Sequence, residues 1–463
     1  MNEEVMLPRM ENPASHGGAP TSFPRILRLL LLCDFRPDGA QTVLDHINAV
    51  AEHSGHEVSV LSILGDLPRT IDLERFDGVI LHYSLIISND EYLDPDSRAR
   101  LRRFSGLKAV FIQDEYRFVD KTCEALRYLG VQLLFTCVPE SEWEKVYPDE
   151  RIPGMRKINV LTGYVPHGLV GRTRRDYRQR RLDVGYRGRR LPAHYGELAQ
   201  DKWRIAERFS ADAARFGLVC DISCQEHRRL YGEKWNEFLQ GCKAVLGVES
   251  GASVFDFQGD IEEKVITFER RNPGASFEQI REHCFSGLDG LIKLNQISPR
   301  CFEAAALGTL MILYEGEYSG VLKPGRHYVA LKKDHSNMSE VVAILRNERK
   351  WNEITGAAYK EIALNPLFGY RHFGTVVGAA ISDAFALIDA ALGVRNYYSD
   401  EAFAEATIEH RRRLASRQAD RARFATLRWR LIAKFVATSP PWITAPLRLV
   451  WRTWRRYQSK NLT

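Results

Sequence analysis

Leu294-Asn-Gln-Ile-Ser-Pro-Arg-Cys-Phe-Glu-Ala-Ala-Ala-Leu-Gly-Thr-Leu-Met-Ile-Leu-Tyr-Glu-Gly-Glu-Tyr-Ser-Gly320 decides how this chain is read. Ser298 followed by Pro299 predicts a helix start. A hydroxyl caps free N–H groups there, and proline's fixed φ suits the first helical position. Arg300 to Leu307 then reads as a short alanine-rich helix, with Gly308 as its stop. Thr309 to Tyr314 is an apolar run of strand length. Glu315 to Gly320 is a glycine-punctuated loop at the carboxyl end of that strand, the end where open α/β sheets bind ligands.

Working outward, the same alternation recurs. Arg25 to Cys33 reads as a strand, Val43 to Ser54 as a helix with Val43, Ile47 and Val50 on one face, and Glu57 to Ile63 as the next strand. A β–loop–α–β opening is a doubly wound signature. The loop around Asp38-Gly39 lacks a Gly-x-Gly-x-x-Gly phosphate fingerprint, so a nucleotide is expected elsewhere. Phe76 to His82, Leu107 to Ile112 and Leu133 to Cys137 read as further strands. Two of them end in polar groups, His82-Tyr83-Ser84 and Gln113-Asp114-Glu115-Tyr116, where functional loops gather. Asp114, Glu115 and His82 are therefore the candidate acid–base groups. The plainer readings are a helix cap for Asp114 and a satisfied core position for His82.

Val170 to Arg181 is polar and strongly basic and reads as a linker. Leu182 to Tyr186 opens a second α/β domain. Its first strand runs into Arg187-Gly188-Arg189-Arg190, and Asp201-Lys202 lies on the next helix. Cys242 to Val248 is a further strand, ending in Glu249-Ser250-Gly251, small residues and a carboxylate suited to a pocket wall. Residues 259–290 are charged and helical in character, with no chemistry assigned.

Ser298-Pro-Arg-Cys-Phe-Glu303-Ala-Ala-Ala-Leu-Gly-Thr followed by a strand resembles the nucleotide-sugar motif of GT-B glycosyltransferases, the family-4-like group in particular. The resemblance implies an α/β GT-B fold, two Rossmann-like doubly wound domains facing a cleft. It implies transfer of a sugar from a nucleoside diphosphate to a hydroxyl, with no other cofactor. In that family the helix glutamate binds the donor ribose, and Glu303 stands at its position. Asn295 stands where the family has a second glutamate near the sugar. An Arg and a Lys near the first loop of the second domain bind the diphosphate in the family; Arg187, Arg189 and Lys202 are the matching candidates, since guanidinium and ammonium groups suit paired phosphate oxygens. Glu249, Ser250, Ser298, Arg300, Glu315 and Gly316 complete the expected donor pocket. No metal ligand is expected. Asp114 falls where many relatives carry a His or Asp toward the acceptor.

The implied organisation is a disordered lead (1–22), an acceptor-side domain (23–170), a linker (171–181), a nucleotide-sugar domain (182–365), a crossover helix region (366–395) and a basic helical tail (396–463). From 411 to 460 Asp420 is the sole acid among many Arg and Lys, interleaved with Trp429, Trp442, Trp451 and Trp454. Basic faces with aromatic anchors suit an anionic membrane surface better than nucleic acid. No apolar run reaches the roughly 20 residues of a membrane-spanning helix, and the amino terminus lacks a signal-peptide core. The eight cysteines show no Cys-x-x-Cys pairing, so reduced thiols in the cytosol are expected. The expected enzyme is peripheral to the inner membrane face, acting on a hydroxyl acceptor, with a lipid-linked acceptor as one option. Rival classes are a nucleotide-sugar epimerase or hydrolase on the same fold, and a catalytically degenerate binding module.

Overall fold

A computed structural model describes residues 25–35, 40–389 and 395–417. The Asp38-Gly39 loop, the lead before residue 25 and the tail beyond 417 lie outside the described residues. The chain divides into two compact units, the second made, among the described residues, of 67–72, 225–229 and 398–417.

The larger unit carries two parallel sheets. In the first, β1 (Arg28–Cys33), α1 (Gln41–His53), β2 (Glu57–Ser62), β3 (Gly78–Leu81), α2 (Pro95–Arg103), β4 (Leu107–Ile112), α3 (Val119–Leu129), β5 (Leu133–Thr136), α4 (Trp143–Val146) and β6 (Arg156–Asn159) follow one another. Their order across the sheet is β2-β1-β3-β4-β5-β6. β1, β3, β4 and β5 are almost wholly buried apolar runs, as parallel strands covered on both faces must be.

The second sheet is built from β7 (Leu182–Arg187), α5 (Glu197–Arg215), β8 (Cys220–Ser223), α6 (Gly232–Gly241), β9 (Cys242–Gly247), α7 (Asp260–Arg271), α8 (Phe277–Phe285), α9 (Pro299–Ala306), β10 (Leu310–Tyr314) and β11 (Val329–Leu331). Its order is β11-β10-β9-β7-β8. Then come α10 (Met338–Arg346), α11 (Glu348–Ala358) and α12 (Tyr370–Ala386). The strand order reverses between β1 and β3 in one sheet and between β7 and β9 in the other. A crevice opens at such a switch point.

α12 returns to the first sheet and crosses α1. Gly374 and Gly378, one turn apart, make the crossing close: a Cβ would stand 2.4 Å from the Ala49 carbonyl at Gly374 and 1.8 Å from that of Ser54 at Gly378. The His56 ring meets the Gly378 carbonyl at 3.1 Å. Two open parallel sheets tied by a returning helix make the GT-B architecture that the resemblance implied.

One sequence expectation needs correcting in detail. The Ser298 hydroxyl makes no capping bond; Ser298 is extended and α9 begins at Pro299 on backbone geometry alone. Within the basic stretch 171–181, one arginine is structural. Arg180 is 2% exposed. Its guanidinium donates to the carbonyls of Leu239, Cys242 and Leu307 and to Thr309 Oγ1, at 2.8–3.3 Å. It thereby meets the carbonyl ends of α6 and α9, where a cation is favoured. Burial holds its pKa down, to about 10.

In the smaller unit a helix spans 400–417. Thr70 Oγ1 donates to the Ala406 carbonyl at 2.6 Å, and the Tyr398 hydroxyl meets the Thr70 carbonyl at 3.3 Å. Among the described residues no helix is long and apolar enough to cross a membrane.

Candidate active site

The carboxyl ends of both sheets meet along a cleft. The segment after β4 pairs with the segment after β9: Asp256 N donates to the Tyr116 carbonyl at 2.8 Å, and Asp120 N to that of Phe257 at 2.9 Å. Arg117 spans the same seam with a fork onto Glu262, at 2.8–3.2 Å. Thr162 Oγ1 donates to the Ile297 carbonyl at 2.5 Å. Beside it Gly163 packs directly on Pro299, leaving 2.8 Å where a Cβ would be.

On the second-domain side, three cations stand together. Arg189 is exposed at the end of the β7 loop. Lys202, on the first turns of α5, is largely buried. Its pKa falls to about 8, first from burial and then from the neighbouring Arg189 and Arg300 charges. Arg300, the first side chain of α9 after its proline, donates to the Arg187 carbonyl and covers the Trp235 ring at 5.3 Å. Arg187 itself is turned away. Its guanidinium is engaged by Asp221 at 2.6 Å and stacks over Phe238 at 4.2 Å. Of the two arginines flanking Gly188, Arg189 is the exposed one, and Arg300 stands near it as a third cation.

Glu303 lies one turn along α9 from Arg300. Burial raises its pKa, against the opposing pull of the bond it accepts from Trp235. That bond, Trp235 Nε1 to Glu303 Oε2, is 2.6 Å. Trp235 stacks on Phe238. It was not singled out in the sequence, because its link to Glu303 crosses from α6 to α9.

Glu249 does not open to the cleft. It is 7% exposed. It accepts from Asn295 Nδ2 at 2.6 Å and from the backbone N–H of Glu317 and Tyr318 at 2.8 and 2.9 Å. Gly316 is needed there, since a Cβ would lie 2.6 Å from the Glu249 Cδ. Ser250 N donates to the Gln296 carbonyl at 2.7 Å, continuing the same tie. Glu315, at the end of β10, is exposed.

On the first-domain side the three candidates separate. Asp114 is exposed at the end of β4 and accepts from the Tyr116 hydroxyl at 3.0 Å. Its charge reaches Lys202 across the cleft, and Tyr116 meets Tyr195 edge-on at 5.1 Å. Glu115 points the other way. It is 2% exposed and accepts from Thr136 Oγ1. Burial raises its pKa to about 8.

His82 is fully buried. The Ser84 N–H donates to its Nδ1 at 3.0 Å, so the proton sits on Nε2, which donates to His46 Nδ1 at 3.0 Å. Burial drives its pKa down to about 3. It is a neutral core histidine, satisfied on both nitrogens, and the expectation of His82 as an acid–base group gives way to the plainer one. Among the described residues no cluster of His, Cys, Asp and Glu is arranged to hold a metal ion.

No family model matches the chain, and no curated protein matches it in sequence. Solved structures do align with it. An alpha-glucosyltransferase bound to UDP and a DNA 13-mer matches at 9% identity and a TM-score of 0.46, over 78% of this chain and 100% of its own. HepE of Anabaena, bound to UDP-glucose, matches at 10% identity and 0.40, over 79% and 100%. TarM matches at 10% and 0.36, over 66% and 54%. Likeness of this depth assigns no substrate and no acceptor to this chain.

Proposed function

We propose that this protein is a glycosyltransferase that moves a sugar from a nucleoside diphosphate to an acceptor hydroxyl. The observation that carries the reading is the cationic group Arg189–Lys202–Arg300 beside the Glu303 carboxylate, faced by Asp114 across the cleft. A diphosphate between the three cations would set the ribose toward Glu303 and the sugar toward Asp114. In the reaction the bond from the anomeric carbon to the diphosphate breaks, and the electron pair leaves with the diphosphate. The cations stabilise that developing charge. The acceptor oxygen bonds to the anomeric carbon, and Asp114 takes its proton.

The test is a thermal-shift screen against nucleotides, followed by assay of diphosphate release with and without acceptors. Ligand binding raises apparent stability by mass action. Stabilisation by a nucleoside diphosphate, lost in Arg189→Ala and in Glu303→Ala, supports the reading; indifference to every nucleoside diphosphate overturns it.

We further propose that the basic, tryptophan-bearing sequence from 411 to 460 holds the enzyme at an anionic membrane face, where a lipid-linked acceptor would lie. Each basic residue near such a surface contributes about 1 kcal/mol, screened by salt. Full-length protein should sediment with anionic vesicles at low salt, and truncation at residue 410 should abolish this. Equal sedimentation of both forms would detach the tail from the role.

A further inference from the structure

A cavity of about 430 Å³ has Glu303 in its wall. α1 contributes Asp45 and Asn48, α6 contributes Gly232 and Trp235, and α12 contributes Tyr370. Asp45 belongs to the first domain and Glu303 to the second, so this space is shared. Asp45 Oδ1 accepts from Gln41 Nε2 at 2.7 Å. Its Oδ2 is shielded from solvent and has no hydrogen-bond partner among the described residues. Glu303 has one oxygen committed to Trp235. Arg172 reaches the same cavity, but Glu233 holds it at 2.8 Å.

Resting on the donor reading above, we infer that Asp45 is a second carboxylate for the hydroxyls of the donor's ribose, so that the nucleoside is gripped from both domains at once. Asp45 and Glu303 are two of the four carboxylates that line the cavity, with Glu52 and Glu233; Glu233 is held by Arg172, and Asp45 and Glu303 call for O–H donors. A vicinal diol supplies two. Each such bond to a charged acceptor is stronger than a neutral one. The burial that raises the pKa of Asp45 and of Glu303 marks both as groups whose charge lacks solvent and gains most from those donors. Asp45 sits on α1, the helix that α12 crosses, so its position is fixed by packing rather than by a loop.

The experiment is calorimetry with UDP, GDP, ADP and CDP on the full chain. The tightest of the four is then compared with its 2′,3′-dideoxy analogue. Wild type should lose about tenfold or more in affinity when the hydroxyls are removed. Asp45→Ala should bind the parent nucleotide about tenfold more weakly and discriminate less against the dideoxy form. Asp45→Asn, which keeps the side-chain shape, should fold with an unchanged thermal midpoint and fall between. If Glu303→Ala weakens binding while both Asp45 variants bind as wild type, the Asp45 inference fails and the donor reading stands. Equal weakening of parent and dideoxy forms in Asp45→Ala would also overturn it, by showing an effect on shape alone. If no diphosphate binds wild type, both fall together.

Discussion

Lys202 is the residue at which charge and pH meet. Burial and two neighbouring arginines bring its pKa to about 8, well below the ordinary lysine value. Its ammonium is therefore lost within an accessible range. Affinity for a nucleoside diphosphate should fall as pH rises through 8, measured by calorimetry from pH 7 to 9. Lys202→Arg keeps the charge and should flatten that profile; a wild-type profile that is already flat would remove Lys202 from the site. The linkage has the opposite sign for folding. The unfolded lysine still holds its proton between pH 8 and its ordinary pKa, so stability rises with pH there.

At this scale the sequence was informative where a residue sits on one short motif. The motif put Arg300 and Glu303 on one helix, and α9 carries both. Arg189 was legible only as one of a pair, since a sequence shows that two arginines flank Gly188 and not that Arg187 turns toward Asp221. Glu115 and Asp114 are adjacent where the chain turns after β4, and there they part, Glu115 buried and Asp114 exposed. Which one faces the cleft is set by that turn, whose geometry a single sequence does not show. Trp235 was missed because its partner Glu303 lies 68 residues further along the chain.

At the scale of elements, the crossing of α12 over α1 is the joint most open to attack. A side chain at Gly378 meets backbone, which cannot rotate aside. Gly378→Val should therefore cost on the order of 1–3 kcal/mol, the range for overpacking, in urea denaturation. Because α12 also delivers Tyr370 to the nucleoside cavity, nucleotide affinity should fall with it. A variant as stable as wild type would show that the crossing yields easily.

Elements with strong apolar runs were readable. β4 occupies the predicted Leu107 to Ile112, and β1, β2, β3, β5, β7 and β9 lie within one to three residues of expectation. β6 and β8 were not. Arg156–Asn159 and Cys220–Ser223 are four-residue strands with half-exposed, polar-rich sequences. β6 and β8 are the end strands of their sheets in the strand order, where one side of the ladder is open and the apolar signal is weakest.

At the scale of the molecule, the Arg117–Glu262 fork holds the two sheets' loops together. The pair is part-exposed, with 37% and 21% of the side chains accessible. Its loss in Arg117→Ala should cost only about 1 kcal/mol in stability. The larger effect should be on shape: a greater radius of gyration by small-angle scattering without nucleotide, and recovery when the tightest-binding nucleoside diphosphate is added. An unchanged radius would assign closure to the backbone pairing at Tyr116 and Asp256 instead.

The tie between Asn295 and Glu249 has a consequence for anyone who edits this protein. Putting glutamate at 295, to match the motif of its look-alikes, would set a second carboxylate where an amide now donates at 2.6 Å. The backbone N–H groups of Glu317 and Tyr318 already fill the other oxygen, so the newcomer would have no donor to share. Positions 249 and 295 therefore form one heritable unit. A saturation library at 295 alone should return side chains that donate. Glutamate should emerge there only alongside a second change at 249.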